Sequence, residues 1–185
     1  MRAMRAEHLS LVRPHWVISD THFGHTNILQ YCPWRTTWAA TIEEHDRAII
    51  EAWRAAVGHD DIVLHLGDFA LGERIRIGEV RRMLPGRICI VRGNHDRSIT
   101  AMREAGFDWV CNSVRVSIGT EQWIGKHNPA VFTLQEASVC ARLLHGHCHG
   151  NGYQEDIETD VRTKARDCSL DAIKSIAPVA WSSIC

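Results

Sequence analysis

Three short apolar runs each break off into a cluster of Asp, Asn, His and Gly, and this repeated pattern constrains the fold more than any other feature. The runs are HWVISD (His15 to Asp20), DIVLHLGD (Asp61 to Asp68) and RICIVRGNHD (Arg87 to Asp96). Near-continuous apolar stretches of this kind predict strands covered on both faces, as in α/β sheets. Helical segments separate them. In TIEEHDRAIIEAWRAAV, Thr41 and Glu44 have the spacing of a capping box, and Ile42, Ile49, Trp53 and Val57 form an apolar stripe. Further helices are expected over part of Gly78 to Leu84, ahead of Pro85-Gly86, and from Ser98 to Ala105, ending at Gly106.

The later half reads differently. SVRVSIGTEQWIGKH alternates on both sides of Gly119-Thr120, which predicts a hairpin. Thr133 and Glu136 in TLQEASVCARLL repeat the capping-box spacing, and a final strand is expected near DCSLDAI. The order β-α-β-α-β-α, then hairpin, helix and strands, predicts an α/β protein with a mixed sheet or a two-sheet sandwich flanked by helices. With 185 residues, no internal repeat and no long linker, a single domain over 1–185 is expected.

Composition narrows the function classes. The formal charge of -1 argues against a broad nucleic-acid footprint. Arg74, Arg76, Arg81, Arg82 and Arg87 crowd one segment and read as a solvated helix face. No window has the apolar length of a membrane span, and the basic start MRAMRAEHLSLVRP lacks the apolar stretch of a signal peptide. Seven cysteines without a CxxC pair predict reduced thiols and a cytoplasmic protein, and argue against a thiolate zinc site. Cys89 reads as a small core residue. Histidine is the unusual component: there are 12, many beside Asp, Asn or Gly.

Polar residues just past the carboxyl ends of strands in an open α/β sheet converge on one crevice. Asp20-x-His22, Gly67-Asp68 and Gly93-Asn94-His95-Asp96 occupy that place, and His127 and His147-x-His149 add two later clusters. Imidazole combined with carboxylate and amide oxygen suits manganese, iron or zinc rather than an all-oxygen magnesium or calcium cage. On extended segments, Asp20 and His22 would project to one face, as would His147 and His149, with Cys148 pointing away. A metal pair needs a bridging carboxylate, and Asp68 stands between the other clusters in chain order. Two divalent ions, less Asp20, Asp68 and a bridging hydroxide, leave a charge of roughly +1 to attract an anion such as phosphate.

SDTHFGH, LGDF, RGNHD, KHNP and HGHCHG, in this order over residues 15 to 150, resemble the motifs of the calcineurin-like metallophosphoesterases. The resemblance is strongest to the small bacterial and phage phosphoesterases that carry an ISDTHFGH segment, and CSLDA resembles their closing strand. It implies a four-layer α-β-β-α sandwich, two mixed sheets flanked by helices. It further implies two divalent metal ions, Mn2+ foremost, with Fe, Zn or Ni as alternatives. Asp20, His22 and His149 would hold the first metal, Asn94, His127 and His147 the second, and Asp68 would bridge them. His95 resembles the family's acid, and Asp96 would orient it by accepting its other ring proton. The chain departs from the pattern in KHNP, which lacks the aromatic residue often found between that histidine and proline, and a short C-terminal layer is expected.

These residues predict a dinuclear phosphohydrolase in which a metal-bridging hydroxide attacks phosphorus in line, with small or nucleotide-type diesters preferred over monoesters. A nuclease on DNA or RNA ranks second; a non-catalytic scaffold and a structural zinc protein with HGHCH as its knot rank below it. The expected partner is a phosphate-ester substrate, with no membrane and with nucleic acid not favoured; the oligomeric state is left open. His25 and Asn27 are candidate substrate contacts. Arg35 has the geometry to bind phosphate bidentately, although its setting in YCPWRTTW reads as structural. His65 and His145 belong to the strands leading into the clusters, and His8, His15, His45 and His59 are background.

Overall fold

The computed structural model of the protein describes residues 8–71, 77–153 and 157–184. Strands β1 (His8–Val12) and β2 (Trp16–Ile18) precede the short helix α1 (Ile28–Tyr31), a 3-10 segment at Pro33–Thr37 and the long helix α2 (Ile42–Ala56). Next come β3 (Ile62–His65), α3 (Ile77–Met83), β4 (Arg87–Val91), α4 (Ile99–Glu104), β5 (Trp109–Cys111), β6 (Ser113–Ile118) and β7 (Glu121–Gly125). The remainder holds α5 (Leu134–Val139), β8 (Arg142–His145), α6 (Thr159–Lys164), β9 (Ala165–Asp167), α7 (Leu170–Ile173) and β10 (Val179–Ala180).

The strands form two five-stranded mixed sheets, ordered β10-β2-β3-β4-β5 and β1-β6-β7-β8-β9. In the first, β2 to β5 are parallel and β10 is antiparallel at the edge. In the second, the β6–β7 hairpin is antiparallel and the other pairings are parallel.

Alternation along the strands divides the interior into three cores. Ile18, Val63, Ile88 and Ile90 face outward and pack on Ile49, Trp53, Val80 and Met102 of α2, α3 and α4. Their neighbours Val17, Leu64, Cys89 and Val91 face inward and meet Val114, Val116, Trp123 and Leu144 of the other sheet. On the far side, Ile124 and Leu143 pack under Ala137 of α5 and Val161 of α6. The result is a four-layer α-β-β-α sandwich, and it explains why the β2, β3 and β4 runs carry almost no polar residue: both faces are buried.

Helix ends follow the local chemistry. Thr41 Oγ1 accepts from Glu44 N at 3.2 Å, and Glu44 Oε2 accepts from Thr41 N at 3.3 Å, so the expected capping box opens α2. Thr133 and Glu136 do the same for α5. Two expectations change, and two strands are added. The strand near DCSLDAI ends at Asp167, because Ser169 accepts from Ala172 N and starts helix α7 instead. Strands β1 and β5 were not foreseen. In the arginine run, Arg81 is held by Asp108, Leu84 O and Gly86 O rather than solvated; Arg74 and Arg76 lie outside the described residues. Among the described residues no helix is long and apolar enough to cross a membrane.

Trp53, fully buried between α2 and the first sheet, has its ring N–H donated to Pro85 O at 3.1 Å. Trp53→Ala is expected to destabilise the protein by about 3–5 kcal/mol in urea unfolding. Tyr31→Ala, at a side chain 66% exposed, is expected to stay within about 0.5 kcal/mol of wild type in the same measurement.

Candidate metal centre

Strands β2, β3 and β4 run parallel, so their carboxyl ends lie together, and the loops that follow carry Asp20, Asp68 and Asn94-His95. The second sheet adds His127 after β7, and His147 and His149 after β8. Backbone conformation then gathers the side chains. Among the described residues, six that are not glycine have positive φ, and five of them are Asp20 (59°), His22 (50°), Asp68 (54°), His147 (70°) and His149 (51°). Left-handed backbone at such residues costs about 1–3 kcal/mol each and persists where the surroundings over-determine it. The x-separated pairs therefore converge through left-handed turns, not through the alternation of an extended strand. Two glycines make room for this. A Cβ at Gly93 would overlap the Asp68 carboxylate, and one at Gly146 would overlap Ser19 Oγ and Asp20 Oδ2.

Two sets of ligand atoms result. Asp20, His22 and His149 form one, and Asp68, His127 and His147 the other, with all atoms in each set within 4.8 Å of one another. Asp20 Oδ1 lies 3.8 Å from His22 Nε2 and 3.5 Å from His149 Nε2. Asp68 Oδ2 lies 3.3 Å from His127 Nε2 and 3.8 Å from His22 Nε2, so this carboxylate faces both sets. Asn94 Oδ1 is 3.0 Å from both His127 Nε2 and His147 Nδ1.

Both carboxylates are buried. Burial opposes the ionised form of Asp20, but the His22 ring 3.8 Å away and the charges of His127 and His149 hold it well below the usual carboxylate range. Asp68 is likewise lowered by His127 against its burial. The histidines respond in kind. Despite burial, His127 is pushed up to about 9 by Asp68 and Asp20, and His149 to about 10 by Asp171 and Cys32. Desolvation lowers His22, and both of its buried ring nitrogens have no hydrogen-bond partner. Buried anions that recruit protons onto nearby rings, beside an imidazole with nothing to bind, suit divalent cations; the residues fit such a group.

A second layer orients these rings. His127 Nδ1 donates to Leu66 O at 2.8 Å, which turns Nε2 toward Asp68. His149 Nδ1 donates to Asp171 Oδ2 at 2.7 Å. Asp171 is in turn gripped by Arg35, whose Nε and a terminal nitrogen reach its two oxygens at 3.0 and 2.7 Å. Arg35 also donates to Asp20 O and Thr21 O, and it contacts His45 Nε2 at 3.0 Å. This corrects the phosphate-binding expectation for Arg35: the side chain is 0% exposed and its donors are taken. Asp96 is corrected as well. Its oxygens accept the backbone N–H of Asp68, Phe69 and Gly93, so it ties two loops together rather than holding the His95 ring. Asp171 was not legible as a site residue, because the weak CSLDA segment was its only sequence signal, and His45 read as background.

His95 stands at the mouth. Its backbone N–H donates to Asp68 Oδ1 at 2.9 Å, its Nε2 lies 4.0 Å from Asp68 Oδ2, and its side chain is 43% exposed. His25 lies nearby, with ring centroids 5.2 Å from His22 and 6.4 Å from His95. Both line a cleft of about 340 Å³ with His22, Ile28, Tyr31 and His149. Asn27 is exposed and does not line it, serving instead at the N-terminus of α1. A second cleft of about 270 Å³ lies past His147, walled by Asn128, Pro129, Tyr153 and Ile157; Asn151 borders both.

The chain is similar to known proteins. Residues 15–170 match the model of the calcineurin-like phosphoesterase superfamily domain. The chain is 29% identical to the uncharacterized protein MJ1445 of Methanocaldococcus jannaschii, over 88% of this chain and 84% of that protein. It is 34% identical to the Gene 66 protein of Mycobacterium phage L5, over 72% and 76%. Among solved structures, the protein of unknown function AQ665 from Aquifex aeolicus superposes with a TM-score of 0.67 at 23% identity, covering 95% of this chain and 97% of that one.

Two outcomes test the second layer. Asp171→Asn is expected to lower divalent-metal affinity about 10–100-fold in a chelator competition. His65, fully buried, places Nε2 3.1 Å from Thr21 Oγ1 and accepts Gly67 N–H at Nδ1; desolvation lowers its pKa from 6.5 to about 3. The unfolded chain therefore takes a proton that the native ring refuses, and this contribution to stability is full above 6.5 and lost as pH falls toward 3. The urea midpoint of His65→Gln should depend less steeply on pH in that window than that of wild type.

Proposed function

This chain belongs to the calcineurin-like phosphoesterase superfamily, and on that premise we propose that it hydrolyses phosphodiesters at a pair of divalent ions. Asp20, His22 and His149 would hold one ion, Asn94, His127 and His147 the other, with Asp68 serving both. The observation that carries this reading is the placement of Asp68 Oδ2 within 3.8 Å of a histidine from each set. When bound, the ions supply positive charge to the phosphoryl oxygens and an acidified water as nucleophile. Imidazole, carboxylate and amide donors suit manganese, with iron, zinc or nickel as alternatives.

The protein's own groups divide the remaining work. His95, exposed at the mouth beside Asp68, is placed to hand a proton to the departing oxygen. His25 and Tyr31, with ring centroids 5.8 Å apart, form an aromatic wall for the substituent on that side. A cleft on each side of the His147–His149 segment favours a diester, whose two substituents need separate places. Clefts of about 340 and 270 Å³ suit small or nucleotide-type diesters better than a polymer. The six described cysteines are all free, which suits a reducing, cytoplasmic setting.

With Mn2+ present, wild type is expected to cleave an activated aryl phosphodiester faster than the matching monoester, and Asp68→Ala should abolish turnover. His95→Ala should lose about 10²–10⁴-fold on a diester with an alkyl leaving group. The loss should shrink on the aryl ester, whose departing oxygen needs no proton. A deficit equal on both esters would remove His95 from the acid role, and full activity in Asp68→Ala would overturn the dinuclear reading.

A further inference from the structure

The described residues contain four groups of His, Cys and Asp whose ligand atoms come within 4.8 Å of one another. Two make up the centre above. The third, Cys32, His149 and Asp171, is already neutralised, because Arg35 holds both oxygens of Asp171 and His149 Nδ1 donates to one of them. The fourth consists of His145, Cys148 and Asp167, none of which serves as a ligand of the dinuclear centre or as the acid in the proposed hydrolysis.

We propose that His145, Cys148 and Asp167 form a separate cation site for a thiophilic divalent ion of the Zn2+ class, beside the dinuclear centre. Strand pairing positions two of the three donors. His145 ends β8 and Asp167 ends β9, and the two are paired in register across the sheet. Cys148 is delivered by the loop between them. His145 Nδ1 lies 2.7 Å from Gly146 O, an acceptor only, so Nδ1 carries the ring proton and Nε2 keeps the lone pair. That lone pair now accepts the Tyr153 hydroxyl at 3.0 Å, a bond that a cation would replace. Asp167 is steadied by the N–H groups of Gly150 and Ser169, each at 2.9 Å, and such bonds are retained by a coordinating carboxylate.

Charge and softness set the selectivity. On binding, a sulfur–metal bond forms, the Cys148 S–H bond breaks and its proton leaves to solvent. Thiolate and carboxylate then bring two negative charges to one divalent ion. Sulfur with imidazole selects Zn2+ or Co2+ over Mn2+, whereas the dinuclear centre offers only nitrogen and oxygen. Three protein donors leave one position of a four-coordinate ion to water. The cleft lined by His147, Cys148, Asn151 and Tyr153 gives the ion a way in.

The test is a Co2+ titration of the Mn2+-loaded protein, followed by near-ultraviolet sulfur-to-cobalt charge-transfer absorption. The absorption should saturate at one thiolate-bound ion per chain, disappear in Cys148→Ser, and persist in Cys32→Ser and Asp68→Ala. In wild type, Co2+ should also protect one cysteine from alkylation, mapped by peptide mass to Cys148. No thiolate absorption, absorption that survives Cys148→Ser, or protection mapped to Cys32 would each overturn the proposal. Because Asp68→Ala removes the dinuclear centre alone, failure of that reading is told apart from failure of this one.

Discussion

The carboxylates of Asp20 and Asp68 lie inside the protein, each against several imidazoles, and most of the surrounding architecture answers to that arrangement. A buried anion needs close positive partners and satisfied oxygens, or its desolvation is prohibitive. Both oxygens of Asp20 accept the backbone N–H of His147, and Asp68 Oδ1 accepts that of His95. The neighbouring histidines supply the charge, and a pair of cations would supply it better. The left-handed backbone at five of these residues is tolerable because the strand ends beneath them are locked between two cores.

The Arg35 clamp links distant parts of the chain to this centre. One guanidinium joins the carbonyls of Asp20 and Thr21, on the loop after β2, to Asp171 on α7, 136 residues beyond Arg35 itself. Through Asp171 it reaches the ring of His149. A fully buried arginine of this kind stabilises only when every donor is matched, so its worth lies in fixing the position of His149 as much as in stability. Asp96 plays the corresponding part on the other side, where one carboxylate binds the loops after β3 and β4 together through three backbone N–H groups.

HGHCHG shows how one short stretch serves two directions. His147 and His149 turn toward Asp68 and Asp20, while His145 turns to Tyr153 and groups with Cys148 and Asp167. The left-handed conformations of His147 and His149 make this division possible, because an extended segment would only alternate its side chains. Cys148, set aside as a bystander on the assumption of an extended strand, therefore has ligand-type neighbours of its own.

The sequence by itself determined the strands β2, β3 and β4, the capped helices α2 and α5, the hairpin and the residue types gathered at the strand ends. These are local properties: apolar runs, capping-box spacing, and polar residues placed where parallel strands must end together. It also carried the family, since five ordered motifs span most of the matched region. Strands β1 and β5 escaped because neither ends in the polar cluster that marks β2, β3 and β4. Arg35, Asp96, Asp171 and His45 were misjudged or missed because a side chain's partner is set by burial and by distance in space, which residue spacing does not encode. Only the tertiary structure decided that Arg35 is a buried clamp rather than a phosphate contact, and that Asp20 with His22, and His147 with His149, converge through left-handed turns. The physical reason is the same in both cases: desolvation forces each buried charge to find its partners wherever the packed layers bring them.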